Sequence, residues 1–418
     1  MTIEIKTRNK IFLFALERAI ALAMFLRASS KKLYSFFASI LRSPCVSCSK
    51  VQNKSNGLKL SKLSIFKEVS LKTKVEGVSM YLLSNVGIVG KSSAIWGKNC
   101  LIYPDFFDTK TMRSSEESFP FYLRSTFDGR YKVSRWVFIL KYFPLLNNDG
   151  VTSISLCSAV HNNYAHWVTE ILPSAKVLFD EVGKSRCYLY IDMYINKNFL
   201  ESLLLVLNNR SNITIVKVLP YEYIKINKLL VIQGVSNIPL DLKGSRVSVN
   251  KYKAWNWNKS AQLNFVTHIY HALGSLDIPS NAPKKIFLLR KSSYRILINQ
   301  DNLALKVKKF GYVAIYPETL SFREQVKLFR NAEVIVSSSG AALSNVIFNK
   351  KKCKVYIITV LKWTNLRYWE NVLRPYVSKV VYIPAKGIAT KTEWRHMDIT
   401  CDEDLFCNIL KEDNKIEK

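Results

Sequence analysis

The stretch EVIVSSSGAA, residues 333–342, decides the fold class of this chain. The residues after the leading glutamate, Val334 to Val336, are apolar and β-branched, which predicts a short parallel strand covered on both faces. No side chain of the following loop is larger than serine, and Leu343, Ile347 and Phe348 then recur at helical spacing. Backbone N–H groups at the start of a helix could therefore approach a phosphate closely. The alternative is an ordinary tight turn in which small residues let two backbones pack together.

The surrounding sequence alternates between strand and helix patterns. A helix at 300–310 has Asn299 as its predicted N-cap and Gly311 as its C′ residue. Another helix opens with the capping-box sequence SFRE at 321–324 and continues to about Asn331. Strands are predicted at 285–290, 312–316, 333–336, 354–360 and 379–384. This alternation predicts an α/β fold with a parallel sheet, right-handed crossovers and ligands at the carboxyl ends of the strands.

Two arginines are predicted to reach the same edge of that sheet. Arg290 ends the strand 285–290, and Arg295 follows in the loop before Asn299. Guanidinium groups bind phosphate oxygens through paired N–H donors, and a helix N-terminus also favours an anion. Their convergence on the loop therefore predicts a site for the diphosphate of a sugar nucleotide.

A second candidate site follows a predicted strand at 151–156. With Asn163 as N-cap, the next apolar residues fall on one arc of a helix and predict a buried face. His166 and Glu170 lie one turn apart on the other side, where an imidazole and a carboxylate in contact can act as a general base. The alternative is a solvated face with a modest charge pair. Pro173 is expected to kink or end the helix.

The order and spacing of these residues resemble glycosyltransferase family 61, whose bacterial members are often labelled capsular polysaccharide biosynthesis proteins. Two positions depart from the family pattern: Ser339 stands where many members carry a histidine, and Gln300 replaces a common acidic residue. The resemblance covers roughly residues 150–360 and rests on NYAHW at 163–167 together with Glu170, Leu172, Pro173, Arg290, Arg295, Asn299, Phe322, Gln325, Phe329, Ala332, Gly340, Ala341, Leu343, Asn345 and Phe348.

The resemblance implies a GT-B architecture, in which two Rossmann-like domains face each other across a cleft. It also implies an inverting, metal-independent transfer from a nucleotide sugar to a lipid-linked or polysaccharide acceptor of the capsule or O-antigen type. Glu170 and His166 are then the catalytic pair, and no cofactor beyond the nucleotide sugar is expected. The donor-binding residues in this interpretation are Arg290, Arg295, Asn299, Ser338, Ser339, Gly340, Ala341 and Asn345.

The predicted domain organisation has three parts. Residues 1–59 form a basic leader with an amphipathic helix, 60–245 an N-terminal α/β acceptor domain, and 246–418 a Rossmann-like donor domain. We therefore expect His166 and Arg290 on opposite walls of the cleft.

The charge of the chain predicts a polyanionic partner. The sequence holds 62 Lys and Arg against 31 Asp and Glu, for a formal net charge of +31, and such a surface suits nucleic acid or anionic lipid. The apolar segment 11–28, interrupted by Glu17 and Arg18, favours lipid because it predicts an amphipathic helix lying in the membrane interface. A marginal span or signal anchor and an ordinary core helix are its alternatives. We expect a cytoplasmic protein bound peripherally to the inner face of the plasma membrane.

Two other functions compete with glycosyl transfer. Nucleic-acid binding is suggested by the charge and by the 12% aromatic content, but the chain has no recognisable reading module, so no nucleic-acid partner is predicted. A non-catalytic relative that binds glycans is suggested by Ser339 and Gln300.

The cysteines and a late acidic triplet bear on compartment and metal binding. Of the eight cysteines only Cys45 and Cys48 form a close pair, which predicts reduced cytosolic thiols. Asp402-Glu403-Asp404 spells the acidic triplet of metal-dependent glycosyltransferases. Because Asp402 is predicted to cap a helix through Leu410, we assign no metal to it.

Overall fold

The computed structural model describes about three fifths of the chain in separate stretches. The leader 1–59, including the amphipathic helix predicted at 11–28, lies outside them except for residues 5–6, as do Cys45, Cys48 and Cys100. The described residues are 5–6, 66–68, 75–90, 93, 95–96, 101–102, 145–147, 150–158, 162–219, 222–237, 256–274, 282–291, 295–361, 366–388 and 397–416.

The chain forms two compact units, and each is assembled from three separate segments. The expectation that His166 and Arg290 belong to different domains is wrong, because the segment that carries His166 clusters with the unit that carries Arg290. The domain boundaries near 59 and 245 stay a prediction. The first unit comprises Met1–Asn162, Ser174–Ile195 and Asn209–Asn256, and the second comprises Asn163–Pro173, Asn196–Asn208 and Trp257–Lys418.

Strands and helices alternate along most of the described chain. The strands are β1 Ile5–Lys6, β2 Phe66–Glu68, β3 Ser79–Val89, β4 Ile95–Trp96, β5 Leu101–Ile102, β6 Leu145–Asn147, β7 Thr152–Ser155, β8 Cys187–Asp192, β9 Ile213–Val218, β10 Tyr223–Gln233, β11 Ser236–Asn237, β12 Asn256–Trp257, β13 Lys285–Leu288, β14 Val313–Ile315, β15 Val334–Ser338, β16 Cys353–Thr359, β17 Val377–Ile388 and β18 Asp398–Cys401. The α-helices are α1 Tyr164–His166, α2 Leu172–Val182, α3 Lys197–Leu207, α4 Lys259–Ala272, α5 Gln300–Lys308, α6 Phe322–Asn331, α7 Leu366–Leu373 and α8 Glu403–Ile416. A π turn spans Trp167–Ile171, and 3₁₀ helices span Pro317–Thr319 and Ala341–Phe348.

The first unit is built on a mixed sheet. Its strands run in the order β1-β9-β8-β7-β10-β3-β4-β5, with β2 on β3 and β6 on β10. The strands from β1 to β10 in this order are parallel, whereas β3 pairs antiparallel with β10. Leu83, Val86, Ile226 and Leu229 are fully buried within its core.

The second unit contains the parallel sheet that the sequence predicts between residues 285 and 384. Its order is β14-β13-β15-β16-β17-β18, and every neighbouring pair is parallel except β17 and β18. Both sheets are therefore rich in parallel pairs, which confirms the α/β class. From β13 the chain adds β14 on one side and later β15 on the other, so the topology reverses between β13 and β15. Ligands of open α/β sheets bind at the carboxyl end of such a switch point.

Two helix starts of the second unit follow the sequence closely, and two differ from it. Asn163 caps α1 by accepting a hydrogen bond from the N–H of Ala165 at 3.1 Å. Ser321 and Glu324 form both bonds of the predicted capping box. Asn299 begins α5 without the predicted side-chain cap. The segment after Gly340 forms a 3₁₀ helix instead of an α-helix. In this narrower helix each N–H bonds three residues back, so the first N–H groups, those of Ala341 and Ala342, have no acceptor within the helix.

Five cysteines lie in the part of the chain that the structure describes, and all are free and buried. Burial raises the pKa of the Cys187, Cys353 and Cys401 thiols to about 12. These thiols therefore stay protonated at neutral pH and are poor nucleophiles, which agrees with the reduced thiols expected for them.

Candidate active site

His166 and Glu170 form a side-chain pair that is largely withdrawn from solvent. Nδ1 of His166 hydrogen-bonds Oε1 of Glu170, and the two side chains are 10% and 16% exposed. The alternative of a solvated helix face is therefore wrong for this pair. In the neutral tautomer that donates from Nδ1 to the carboxylate, Nε2 of the ring is left as an acceptor. Such a pair can take up one proton as a unit.

A π turn directly after His166 explains how the helix passes Pro173. Across this turn the N–H of Leu172 bonds to the carbonyl of Trp167, five residues back. A proline lacks the N–H of an α-helical bond and clashes with the carbonyl four residues before it. The wider turn lies where that clash would arise, so the helix continues as α2 to Val182. Of the two outcomes expected at Pro173, a kink or an end of the helix, the end does not occur.

Trp167 fixes this segment onto α3 of the same unit. Its indole Nε1 donates to the hydroxyl of Ser202 at 2.8 Å, and its ring stacks on Phe199 with centroids 5.1 Å apart. Ser202 in turn donates to the carbonyl of Phe199 at 2.7 Å. Trp167 is 1% exposed, and burying so large a ring contributes a few kcal/mol, roughly 1.5–3 for a large apolar side chain. This packing is the reason that the segment clusters with the second unit.

A chain of polar contacts joins the segment that carries His166 to the 3₁₀ helix after β15. The hydroxyl of Tyr164 donates to Oδ1 of Asn345 at 2.5 Å, and Nδ2 of Asn345 donates to Oε1 of Gln325 at 2.8 Å. Gln325 continues to the carbonyl of Leu320 at 3.2 Å. Burial raises the pKa of Tyr164 far above its ordinary value, so its hydroxyl remains a donor. Asn345 is fully buried with both amide ends occupied, an arrangement that favours positioning over the direct donor contact predicted for it.

The loop that follows β15 lies at the switch point of the sheet. Ser337 and Ser338 are buried as the last residues of the strand. Ser339 is partly exposed, and its Oγ accepts a hydrogen bond from Nε1 of Trp369 at 2.9 Å. This bond uses a lone pair of the hydroxyl and leaves its proton available for an anion. Gly340 is extended, and the 3₁₀ helix starts at Ala341.

Arg290 and Gly340 lie against each other at this edge. Arg290 lies two residues beyond the carboxyl end of β13, which ends at Leu288 and is shorter than the strand predicted at 285–290. A Cβ added to Gly340 would lie 3.2 Å from Nη1 and 3.6 Å from Cζ of Arg290. Any larger residue at position 340 would therefore press on the guanidinium group. The same Nη1 also donates to the carbonyl of Arg295 at 3.5 Å.

Gln300 holds the backbone of Arg290 from the first turn of α5. Its Oε1 accepts from the N–H of Arg290 at 2.9 Å, and its Nε2 donates to the carbonyl of Arg290 at 3.0 Å. Gln300 is 9% exposed. A carboxylate could accept the first bond but could not donate the second. Gln300 is therefore a positioning residue for Arg290.

Arg295 and Asn299 have different surroundings. Arg295 adopts a left-handed backbone conformation with φ 55°, which is costly for a residue with a side chain and is common at functional sites. Asn299 begins α5 without capping it through its side chain. Its amide instead pairs with the backbone of Cys401, donating to the carbonyl at 2.8 Å and accepting from the N–H at 3.2 Å. This tie to β18 favours a structural role for Asn299 over the donor contact predicted for it.

The acidic triplet near the C-terminus also has local partners. Asp402 accepts from the N–H groups of Asp404 and Leu405 at 3.0 and 2.9 Å, so it caps α8 as predicted. Glu403 pairs with Lys306 at 2.8 Å, and this contact together with Asn299 lowers the pKa of its carboxyl group. Among the described residues, no group of three or more His, Cys, Asp or Glu side chains is arranged to hold a metal ion.

Comparison with known proteins relates this part of the chain to a family. Residues 164–356 match the family model described as Glycosyltransferase 61. The chain contains a glycosyltransferase family 61 domain. The protein is accordingly a glycosyltransferase, an enzyme class that uses a nucleotide-sugar donor and a glycan acceptor. The matched segment contains His166, Glu170 and Arg290 together with the loop at Gly340. A search of curated proteins gave no match.

Four residues of this glycosyltransferase have roles that sequence reasoning missed. The sequence marks Gln300 only as a departure from the family pattern, whereas in the structure its side chain binds the backbone of Arg290. Trp369 binds Ser339 from α7, 30 positions along the chain, and no local pattern could have indicated that contact. Tyr164 and Gln325 belong to patterns that suggested core packing or family likeness alone, and their bonds to Asn345 require the folded unit.

Replacing Gln300 with glutamate tests its role in the family 61 domain. We expect donor affinity to fall about tenfold, since an unsatisfied buried carbonyl costs roughly 1–3 kcal/mol and the arginine would lose its position. The measurement is the dissociation constant of the donor, by calorimetry or by its effect on the melting temperature. Gln233→Glu in the first unit is the matched control. Unchanged donor affinity in a folded Gln300→Glu protein would exclude this role.

Proposed function

We propose that this glycosyltransferase moves a sugar from a nucleotide-sugar donor to a growing surface polysaccharide of the capsule or O-antigen type, with inversion at the anomeric carbon. One arrangement in the second unit carries the proposal. The buried His166–Glu170 pair lies on a segment that is hydrogen-bonded through Tyr164 to the 3₁₀ helix. That helix begins beside Arg290 at the switch point of the sheet.

The donor diphosphate is assigned to the switch point. Arg290 and Arg295 supply positive charge there, and the N–H groups of Ala341 and Ala342 supply backbone donors. The Ser339 hydroxyl adds a further donor, because its oxygen accepts the bond from Trp369 and its proton remains free to bond an anion. As the bond between the anomeric carbon and the diphosphate oxygen breaks, negative charge grows on that oxygen. Donors fixed in advance stabilise this charge more than they stabilise the bound substrate.

The acceptor hydroxyl is activated by the His166–Glu170 pair. Glu170 with His166 takes the hydroxyl proton while the oxygen attacks the anomeric carbon from the face opposite the diphosphate. The bond to the acceptor forms as the bond to the leaving group breaks, so no covalent enzyme intermediate is needed. Either Oε2 of Glu170 or Nε2 of His166 can receive the proton, since Nδ1 and Oε1 bond to each other.

We further propose a GT-B arrangement for the two units and a reaction without a metal. Two sheets rich in parallel pairs are what such an architecture requires. Arg290 and Arg295 can balance the charge of the leaving diphosphate, which is the task that a divalent cation performs in other enzymes. The donor site then belongs to the Rossmann-like half, as the switch-point rule predicts.

The location that we propose is the inner face of the plasma membrane, where the protein would be bound peripherally through its basic leader to serve a lipid-linked acceptor. The net charge of +31 supports an anionic surface as a partner. Within the described stretches, no helix combines the length and the apolar composition needed to cross a bilayer.

A screen of nucleotide sugars by thermal shift tests the proposed function. A donor that binds only the folded protein stabilises it by about 2.7 kcal/mol at one hundred times its dissociation constant. We expect one or a few nucleotide sugars, and their free nucleoside diphosphates, to raise the melting temperature. The positive donors are then incubated with acceptor glycans, and the anomeric configuration of the product is read by NMR. Stabilisation by glycans alone, with no response to any nucleotide sugar, would contradict the proposal.

A further inference from the structure

The amino ends of the parallel strands in the second unit carry a dense set of positive charges. This edge is opposite the one that holds Arg290 and Gly340. The described turns that lead into β13 to β17 contain a single carboxylate, Glu333. We call the Lys and Arg of these turns, and of the strand and helix ends that border them, the basic edge; they are Lys284, Lys285, Lys308, Lys309, Arg330, Lys350, Lys351, Lys352, Lys354, Arg374 and Lys379.

The pairing of the strands sets these charges at one level. Lys285 is in register with Val334, Val334 with Lys354, and Lys354 with Lys379. Neighbouring strands are about 4.8 Å apart, so three lysines lie in a row across four strands. The remaining members lie in the turns just beyond this row. The basic edge is therefore one continuous strip and not a scatter of separate charges.

Most of this strip faces solvent. Lys284, Lys308, Lys309, Lys379 and the run 350–352 are exposed, as is Arg374. Glu333 binds Lys284 and Lys351, each at 3.2 Å. Partial burial acts to raise the pKa of Glu333, but its bonds to the two lysines outweigh this and lower it. Glu333 therefore remains ionised and balances one charge of the strip.

The internal needs of the fold account for little of this charge. Helices α5, α6 and α7 end at this edge, and each helix C-terminus is equivalent to roughly half a negative charge. Arg330 and Lys350 both lie near the ring of Tyr270, at 4.8 and 4.7 Å from its centroid. The ring of Tyr270 is uncharged, so these contacts hold two positive charges close together without neutralising either of them. The strip retains a large excess of positive charge that needs an external anion.

We propose that the basic edge binds an anionic lipid surface. Nine of its residues are lysines against two arginines, and a lysine is a mobile point charge without the rigid paired donors that recognise an individual phosphate. Exposed lysines along one edge fit a fluid sheet of negative headgroups, where their attractions to the surface add. The proposal adds a second contact to the one assigned to the leader, and it does not depend on the proposed chemistry.

The basic edge and the donor site do not compete, because they lie at opposite ends of the same strands. β15 has five residues, which span roughly 17 Å at about 3.3 Å each. The carboxyl edge with Arg290 would then face away from the lipid headgroups, towards the solution from which a nucleotide sugar arrives.

The test compares two variants of the full chain with equal changes in charge. The edge variant is Lys308→Gln, Lys309→Gln, Lys352→Gln and Lys379→Gln. The control variant is Lys197→Gln, Lys225→Gln, Lys228→Gln and Lys259→Gln, four exposed positions outside the basic edge. Binding is measured by co-sedimentation with vesicles of phosphatidylcholine containing phosphatidylserine, over a range of salt concentrations. Vesicles of pure phosphatidylcholine and a short DNA duplex serve as comparison ligands.

We expect the edge variant to bind the anionic vesicles at least about tenfold more weakly, since it loses four charges attracted to the surface, and the control variant to change less than about threefold. Equal losses in both variants, or wild-type binding by the edge variant, would overturn the proposal. So would a loss confined to DNA. The melting-temperature shift with nucleotide sugar should stay the same in both variants, which separates this test from that of the proposed function.

Discussion

Replacing Glu170 with glutamine is expected to lower turnover by about 10²-fold or more. Glutamine keeps the shape of the side chain and one acceptor oxygen, so the bond to His166 can persist. It cannot take up a proton at neutral pH, and general-base catalysis typically contributes 10²–10⁴-fold. Donor affinity should hardly change, because the diphosphate is assigned to Arg290 and the loop at Gly340. Single-turnover kinetics with saturating donor measure the effect on the chemical step.

The control for this experiment is Glu181→Gln, which changes a carboxylate further along the same run of helix. His166→Ala separates the two members of the pair. If Glu170→Gln kept near-normal turnover while His166→Ala abolished it, the base would be Nε2 of the histidine and Glu170 its orienting partner. If both variants retained normal turnover, the pair would have no catalytic role and the proposed mechanism would fall.

Replacing Arg290 with alanine is expected to weaken donor binding and to lower turnover together. A hydrogen bond to a charged group contributes roughly 1.5–3 kcal/mol, which predicts a loss of about tenfold to a hundredfold in donor affinity. Turnover should fall further, because the charge on the diphosphate grows in the transition state. Calorimetry with the donor gives the first quantity, and initial rates at saturating donor give the second.

Arg290→Lys refines this prediction, since lysine keeps the charge but loses the planar pair of donors. We expect it to recover part of the affinity and little of the rate. Arg374→Ala removes an exposed arginine of the same unit and serves as the matched control. Normal donor affinity in a folded Arg290→Ala protein would remove the arginine from the donor site.

The parts of this fold that follow from local pattern could be predicted from the sequence. The strands β13, β15 and β16 are short, largely buried apolar runs, and the capping box at Ser321 and Glu324 uses residues three positions apart. Asn163 caps its helix for the same local reason. Each of these depends on neighbours in the chain, and each is found where the sequence places it.

The parts that depend on distant contacts could not be predicted. The side chain of Asn299 does not cap its helix because it hydrogen-bonds the backbone of Cys401, about a hundred residues away. The clustering of His166 with the second unit depends on Trp167 packing against α3. Local periodicity carried no information on either contact. The partners of Ser339 and Gln300 belong to the same class, so local pattern indicated candidate site residues but not the side chains that contact them.

The π turn at Trp167–Ile171 affects how other sequences should be aligned with this one. A π turn holds one residue more than the α turn it replaces, so a homologous chain with a regular helix here would be one residue shorter. An alignment without a gap would then match every position beyond the turn to its neighbour. The histidine would remain aligned, whereas the carboxylate one turn later would be paired with an unrelated residue. If the glutamate is missing in such an alignment, the one-residue shift should be corrected before a loss of activity is inferred.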